Sequence, residues 1–209
     1  KSLPTSVTIP SHVTIDNVEY AVTDIQNAAF QNCSNITSVD IPNTVTTIGS
    51  SAFEGCSNLT SIKLPEGITD VRDNTFKGCS SLKRVELLSQ VPVVFHSGSL
   101  RGCSSLKGIR LHGGWCSNTS SDAFDKNASS YINVQVPEIY VNAFKNAEPW
   151  SKFNITKHYS HFIGDYEIIN YGDYSLKYTV LLNEEKCGAR VSRGGDLDLV
   201  ITNALIAEK

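Results

Sequence analysis

Methionine is absent from the 209 residues, tryptophan occurs twice, and charged residues make up only 19% of the chain. No apolar run approaches the roughly 20 residues that carry a helix across a bilayer, so no helical membrane span is expected. With 18 Lys and Arg against 21 Asp and Glu, the formal net charge is -3. That leaves no basic excess of the kind that attracts nucleic acid or an anionic membrane surface. Several chemical signatures are missing as well: there is no G-x-S-x-G elbow, no phosphate-binding glycine loop and no H-E-x-x-H. A chain without Met that starts at Lys1 reads as a mature or trimmed form, with any signal peptide or anchor lying outside it. What is present is 40% hydrophobic residues over a length that suits one or two domains with a substantial core.

The hydrophobic residues are periodic. Cys33, Cys56, Cys79 and Cys103 follow one another at spacings of 23, 23 and 24, each three residues after Phe30, Phe53, Phe76 or Leu100. Self-similarity at a fixed period in the twenties is the signature of a solenoid. In the segment from Ile41 to Pro65 the apolar positions are Cys56, Leu59, Ile62 and Leu64, followed after Pro65-Glu66-Gly67 by Ile68 and Val71. Ile62 and Leu64 are two apart, which puts both side chains on one face of a short strand. Val39/Ile41, Val85/Leu87, Ile109/Leu111 and Val134/Val136 are the matching pairs in other coils. Such strands bury their inner face only when stacked in parallel, about 4.8 Å apart. The Ala-Phe step and the Gly-Cys-Ser after it form a tight turn or a single helical turn that returns the chain.

The run I-P-x-x-V-T-x-I-G-x-x-A-F-x-G-C-S-x-L-T-S-I, read from Ile41, resembles the BspA-type leucine-rich repeat, and the resemblance covers roughly residues 6 to 157. It implies a right-handed leucine-rich-repeat solenoid. It also implies proteins that are secreted or displayed on the cell surface, and a function in adhesion and protein binding.

The remaining segments are set against this frame. Ser6–Ile9, Val13–Ile15 and Val18–Val22 alternate like strands around the Asp16-Asn17 turn, and residues 1–28 are expected to form a β-hairpin cap over the first coil. The stretch from Pro92 to Phe95 interrupts the period and is taken as a bulge on the convex side. A longer departure, Gly113 to Asn118, precedes Asp122-Ala123-Phe124, which restores the pattern. Tyr131–Pro137 supplies the last repeat strand. Residues 138–157 are similar to the family's C-terminal helical cap, with Ala143, Phe144 and Ala147 on one face and Phe153 to Ile155 beneath. The repeat domain is thus expected to span 1–157, and 158–209 to be a small antiparallel β module that leans on the repeat domain or belongs to a larger, truncated domain.

Candidate chemistry is sparse. The four repeat cysteines occupy one position and serve as small apolar filler, since parallel neighbours do not meet disulfide geometry. Cys116 and Cys187 stand outside the register, and a bond between them is unsupported. His158 and His161 form an H-x-x-H pair without a third ligand at a recognisable spacing, so no metal site is assigned. Cys116 with His112 and Asp122 gives a thiol-hydrolase reading, but the three lie on a loop without an oxyanion site. No cofactor is implied. N-x-[ST] triplets at Asn32, Asn35, Asn58, Asn118, Asn127 and Asn154 arise from turn residues.

The strand face opposite the core reads either as a solvated sheet held by its own charge ladder or as a concave polar surface for a partner. Its column Asp40, Lys63, Glu86, Arg110, Gln135 alternates in sign, with Arg84 beside it, and adjacent opposite charges form a ladder worth about 0.2–1 kcal/mol per pair. Trp115, in the insertion, is the candidate exposed anchor. The leading expectation is a non-catalytic secreted or surface protein that binds a protein partner of a host, a matrix or a neighbouring cell. A carbohydrate-binding module using Trp115 and tyrosines is the alternative.

Overall fold

A computed structural model describes residues 4–113 and 118–158, together with the backbone of four later strands. The chain divides into two compact units, Lys1–His158 and Tyr159–Lys209.

The first unit begins with β1 (Ser6–Thr8), a hairpin of β2 (His12–Ile15) and β3 (Val18–Ala21), and the two-residue β4 (Asp24–Ile25). Each coil that follows contributes a long and a short strand. These are β5 (Ser38–Asp40) with β6 (Thr47–Ile48), β7 (Ser61–Leu64) with β8 (Asp70–Val71), and β9 (Arg84–Leu87) with β10 (Val94–Phe95). Then come β11 (Gly108–Leu111), β12 (Asn133–Pro137), the short helix α1 (Val141–Lys145) and β13 (Asn154–His158). The order β13-β12-β11-β9-β7 makes a parallel five-stranded sheet, and β1 pairs in parallel with β5. In register Ile62, Val85, Ile109 and Val134 stack inward, and every paired apolar residue expected from the period-two pattern is buried. The parallel strand stack foreseen from the repeat is therefore present.

On the returning side of the coil the backbone twice enters the left-handed region. Ala28, Ser51, Asn74 and Gly98 form one such column (φ 55, 57, 55 and 63), and Asn32, Gly55, Gly78 and Gly102 form the second (φ 60, 74, 74 and 77). The second column needs glycine at position 55, where an added Cβ would sit 2.4 Å from Asn32 Oδ1. These turns are tied between coils by main-chain hydrogen bonds such as Phe30 N to Ala52 O (2.8 Å), Phe53 N to Thr75 O (2.9 Å) and Phe76 N to Ser99 O (2.9 Å). Beneath them Phe30, Phe53 and Phe76 stack with centroids 5.2 and 5.5 Å apart and planes within 4°. Aromatic rings at this separation lie offset, an arrangement their quadrupoles favour.

The repeat cysteines are free thiols, as the sequence reading has them. They do more than fill space. Cys56, Cys79 and Cys103 each donate a weak hydrogen bond to a phenylalanine carbonyl of the preceding coil, at 3.1, 3.1 and 3.2 Å. Burial pushes the Cys56 thiol up to about 11, Cys103 to about 12 and Cys79 further still, so none is a ready nucleophile.

Four expectations are corrected. Pro92 to Phe95 is no bulge: Val94 and Phe95 pair with Asp70 and Val71, and Phe95 is fully buried. Ile25, Ile48, Val71 and Phe95 are thus a second core column, at spacings of 23, 23 and 24. Tyr131–Pro137 is not the last parallel strand, because Asn154–His158 pairs with it and sets Ile155 beside Val134. In α1 only Phe144 is buried, while Ala143 is exposed; five residues make little more than one turn, too few for a continuous apolar face. The N-terminal hairpin forms, but both its strands are exposed at every position, so it buries no face of its own as a cap would.

The opposite end is closed by aromatic packing. Trp150 lies edge-on to Phe95, Phe124 and Phe144, at 5.4–5.5 Å, and against Phe153. Its side chain is fully buried.

In the second unit β14 (Ile168–Tyr171), β15 (Tyr174–Asn183), β16 (Lys186–Arg193) and β17 (Leu197–Thr202) form one antiparallel sheet in sequence order. The expected links of β15 to β16 at Asn183–Glu185 and of β16 to β17 at Arg193–Asp196 fall largely outside the described residues.

Candidate functional site: the outward face of the parallel sheet

Alternation along each strand fixes what the sheet shows outward: Ser61 and Lys63 on β7, Arg84 and Glu86 on β9, Gly108 and Arg110 on β11, Asn133 and Gln135 on β12, and Asn154 and Thr156 on β13. Their inward neighbours are buried, except Lys157 near the end of β13, which is exposed. Asp40 is likewise exposed on β5. Lys63, Glu86 and Arg110 stand opposite one another in register, as the repeat implies.

The expected ladder of ion pairs is not what joins them. Glu86 takes a hydrogen bond from His112 Nε2 at 2.7 Å, and Arg110 donates from Nε to Gln135 Oε1 at 2.9 Å. No ion pair within 4.0 Å links Asp40, Lys63, Glu86 and Arg110 among the described residues. The physical reason is competition. His112 presents its ring nitrogen from the same face, two residues beyond Arg110, and a half-buried imidazole loses less freedom on pairing than a long exposed Lys or Arg chain. Arg84 is exposed and lies between Ser61 and Gly108, whose small side chains leave its flanks open.

The pairing of Glu86 creates a cluster that the sequence reading missed. The rings of His112 and His158 are 5.2 Å apart, and the buried His158 donates from Nε2 to Leu111 O at 2.6 Å. His158 therefore ends β13 and belongs to the first unit, rather than to the module that follows. Its H-x-x-H partner, His161, lies outside the described residues. Burial lowers the basicity of His112, more than its bond to Glu86 restores; nearby His158 and Arg110 act in the same direction as burial. Burial also pushes the Glu86 carboxyl up, but the His112 hydrogen bond and the charges of His112, Lys63 and Arg110 outweigh it and hold the group below its ordinary value. Glu86 is thus an anion beside a neutral imidazole near pH 7. The signal for this cluster was in the sequence: continuing the alternation past Arg110 places His112 on the face of Glu86.

The hydrolase grouping does not assemble from what is described. His112 is engaged by Glu86, Asp122 accepts from Ser97 and Ser120, and Cys116 lies outside the described residues, as does Trp115. A bond between Cys116 and Cys187 falls outside them too. Among the described residues no group of three His, Cys, Asp or Glu side chains is placed to hold a metal ion, and no helix is long and apolar enough to cross a membrane.

Residues 23–151 match the model of the BspA type leucine rich repeat region, in six copies. The chain belongs to this family. Among solved structures it is similar to the leucine rich repeat protein of T. pallidum, at 26% identity over 63% of this chain and 58% of that one, with a TM-score of 0.53. A leucine-rich repeat protein from Bacteroides capillosus is 32% identical over 54% of this chain and 80% of that one, with a TM-score of 0.46. A leucine rich cell surface protein from Faecalibacterium prausnitzii is 18% identical over 85% and 52%, with a TM-score of 0.37. The chain spans just over half the length of the T. pallidum protein. No curated protein matches the sequence at a significant level. Repeats of this family are typically protein-interaction modules and are generally non-enzymatic.

Proposed function

We propose that this protein is a non-catalytic interaction module, secreted or displayed on a cell surface, that binds a protein partner through the outward face of its parallel sheet. The partner belongs to a host, a matrix or a neighbouring cell. The observation that carries this reading is the disposition of cations on the face: among the described residues Lys63, Arg84 and Arg110 have no carboxylate within ion-pair distance, while the facing Glu86 is taken by His112. Charged groups already held by short ion pairs have little to offer a partner; guanidinium groups without a carboxylate on a rigid strand array, Arg110 with only its Nε given to Gln135, offer directional donors. The surface placement rests on the family resemblance. No aromatic side chain stands among the outward strand positions from Ser61 to Thr156, so the described face lacks a platform for stacking sugars.

The test is a panel of matrix proteins and polysaccharides, applied side by side to the whole chain and to the Lys63→Ala, Arg84→Ala, Arg110→Ala triple variant. Saturable binding to a protein, lost in the variant while its thermal midpoint is kept, is the expected result. Retention of sugars alone, unaffected by the triple substitution, contradicts the reading.

A further inference from the structure

The outward face of the sheet gathers cations on a chain whose formal net charge is -3. Lys63, Arg84 and Arg110 stand on three successive strands, β7, β9 and β11. Lys63 and Arg110 share one row of the register two strands apart, about 10 Å at the ordinary strand spacing. Arg84 lies on the strand between them, one row nearer the strand beginnings. At that edge Lys83 and Lys107 open β9 and β11; both are exposed, and Lys107 N donates to Lys83 O at 3.0 Å. Among the described residues none of these five cations has a carboxylate within 4.0 Å.

Against them the outward strand positions set two carboxylates, Asp40 and Glu86. Glu86 falls within the triangle of Lys63, Arg84 and Arg110, yet its Oε1 is held by His112 Nε2, on the side away from Arg84. The bond from Arg110 Nε to Gln135 fixes that side chain and leaves its terminal amino groups for a carboxylate. Beyond Arg110 the face turns neutral, with Asn133, Gln135, Asn154 and Thr156 on β12 and β13.

We propose that the partner presents an extended acidic polypeptide segment, laid across β7, β9 and β11 with its main chain continuing over the amides of β12 and β13. This rests on the reading of the outward face as the binding surface and gives the partner its chemistry. Charge complementarity carries it. In an extended segment alternate side chains point the same way about 7 Å apart, and the length of Lys and Arg side chains covers the remaining distance. Arginine clusters receive acidic motifs because each guanidinium fork matches a carboxylate. A sulfated polysaccharide fits this face less well. Its charge recurs along the whole polymer, so sulfates would meet Glu86 and the uncharged β12 and β13. A peptide can set an uncharged residue opposite each.

The experiment is fluorescence anisotropy on the whole chain with labelled alternating Glu-Ser and Gln-Ser peptides and with heparin, at about 50 mM NaCl, where screening is weak. Saturable binding of the Glu-Ser peptide is expected, with Gln-Ser bound at least ten-fold more weakly. The Lys63→Ala, Arg84→Ala, Arg110→Ala variant should lose roughly ten-fold in affinity, and Lys83→Ala with Lys107→Ala roughly three-fold. Glu86→Gln should tighten binding about two-fold, because it removes the anion inside the triangle. Lys77→Ala with Arg101→Ala, which takes charge from the returning side of the coil, should change it less than two-fold. Thermal midpoints held within the series separate these effects from misfolding. No binding of Glu-Ser, binding of heparin alone, or equal losses in the returning-side variant overturns the proposal. A matrix or cell-surface protein whose binding is lost in the triple variant but not displaced by Glu-Ser also overturns it, and leaves the protein-binding reading standing. Glu-Ser binding lost in the triple variant, with every such protein blank, supports the acidic segment and fails the wider reading.

Discussion

The two ends of the described first unit are packed in opposite ways. Every solenoid exposes an apolar cross-section where its stacking stops. At the C-terminal end the chain covers its own, with Trp150 edge-on to Phe95, Phe124 and Phe144, tilted against Phe153, and one more parallel strand, β13, laid on. At the N-terminal end the hairpin stands with Val13, Ile15, Val18 and Tyr20 in solvent. The lesson is that covering a stack takes bulk and edge-on rings within one cluster. A narrow ribbon of two four-residue strands brings neither.

The largest break in that contrast comes from removing its bulk. Trp150→Ala should cost about 3–5 kcal/mol, as large-to-small changes at fully buried aromatic sites do, and denaturant unfolding will show it. Ile15→Ser on the hairpin should change stability by no more than about 0.5 kcal/mol, the range of exposed substitutions. Equal losses at the two sites would erase the distinction.

Backbone strain gives the next effect. Gly55→Ala places a Cβ against Asn32 Oδ1 at φ 74, whereas Gly78, at the same φ, has its nearest heavy atoms 3.8 Å away. Both variants pay for the left-handed conformation, roughly 1–2 kcal/mol, and Gly55→Ala should unfold at distinctly lower denaturant than Gly78→Ala.

Acid provides a third, smaller probe, specific to the C-terminal half. His112 is less basic folded than its ordinary value of 6.5, so the unfolded chain takes up its proton first and stability falls as pH drops below about 6.5. Glu86 is more acidic folded than its ordinary 4.5, so its contribution is present above 4.5 and is lost as pH falls further. Thermal midpoints should therefore decline from pH 7 to pH 4 in two steps, and His112→Gln should remove the upper one. A profile that is flat over this span, or unaltered by the substitution, would contradict the pairing.

Thiol modification sharpens the comparison with the least disturbance. Cys33 lies half-buried, and Cys56, Cys79 and Cys103 are buried. Among these four thiols, peptide-mapped alkylation should be fastest at Cys33. Smaller still, Ser99→Ala should be neutral or slightly stabilising, since the buried Ser99 hydroxyl has no hydrogen-bond partner.

Much of this architecture is legible in the sequence, and what is not has identifiable causes. The cysteine, phenylalanine and I-x-L columns are read easily because the same residue types recur at one spacing. Ile25, Ile48, Val71 and Phe95 recur just as regularly, but their identity changes and the loop of residues 88–93 ahead of Phe95 is one residue longer, so the column reads as an interruption. β13 is hidden for another reason. Only 21 residues separate Val134 from Ile155, because the short helix and the Trp150 turn replace the usual return. On the outward face the composition of the charge column is apparent from the repeat, yet the partners are not. Which neighbour Glu86 chooses depends on side-chain reach and on the end of β11, where His112 enters.

Hydrogen exchange on the whole chain tests most directly the claim that the C-terminal end of the stack is closed by its own residues while the N-terminal hairpin packs on nothing. Amides of β11, β12 and β13 should be strongly protected, while those of the hairpin exchange readily. Equal protection at the two ends would contradict the account.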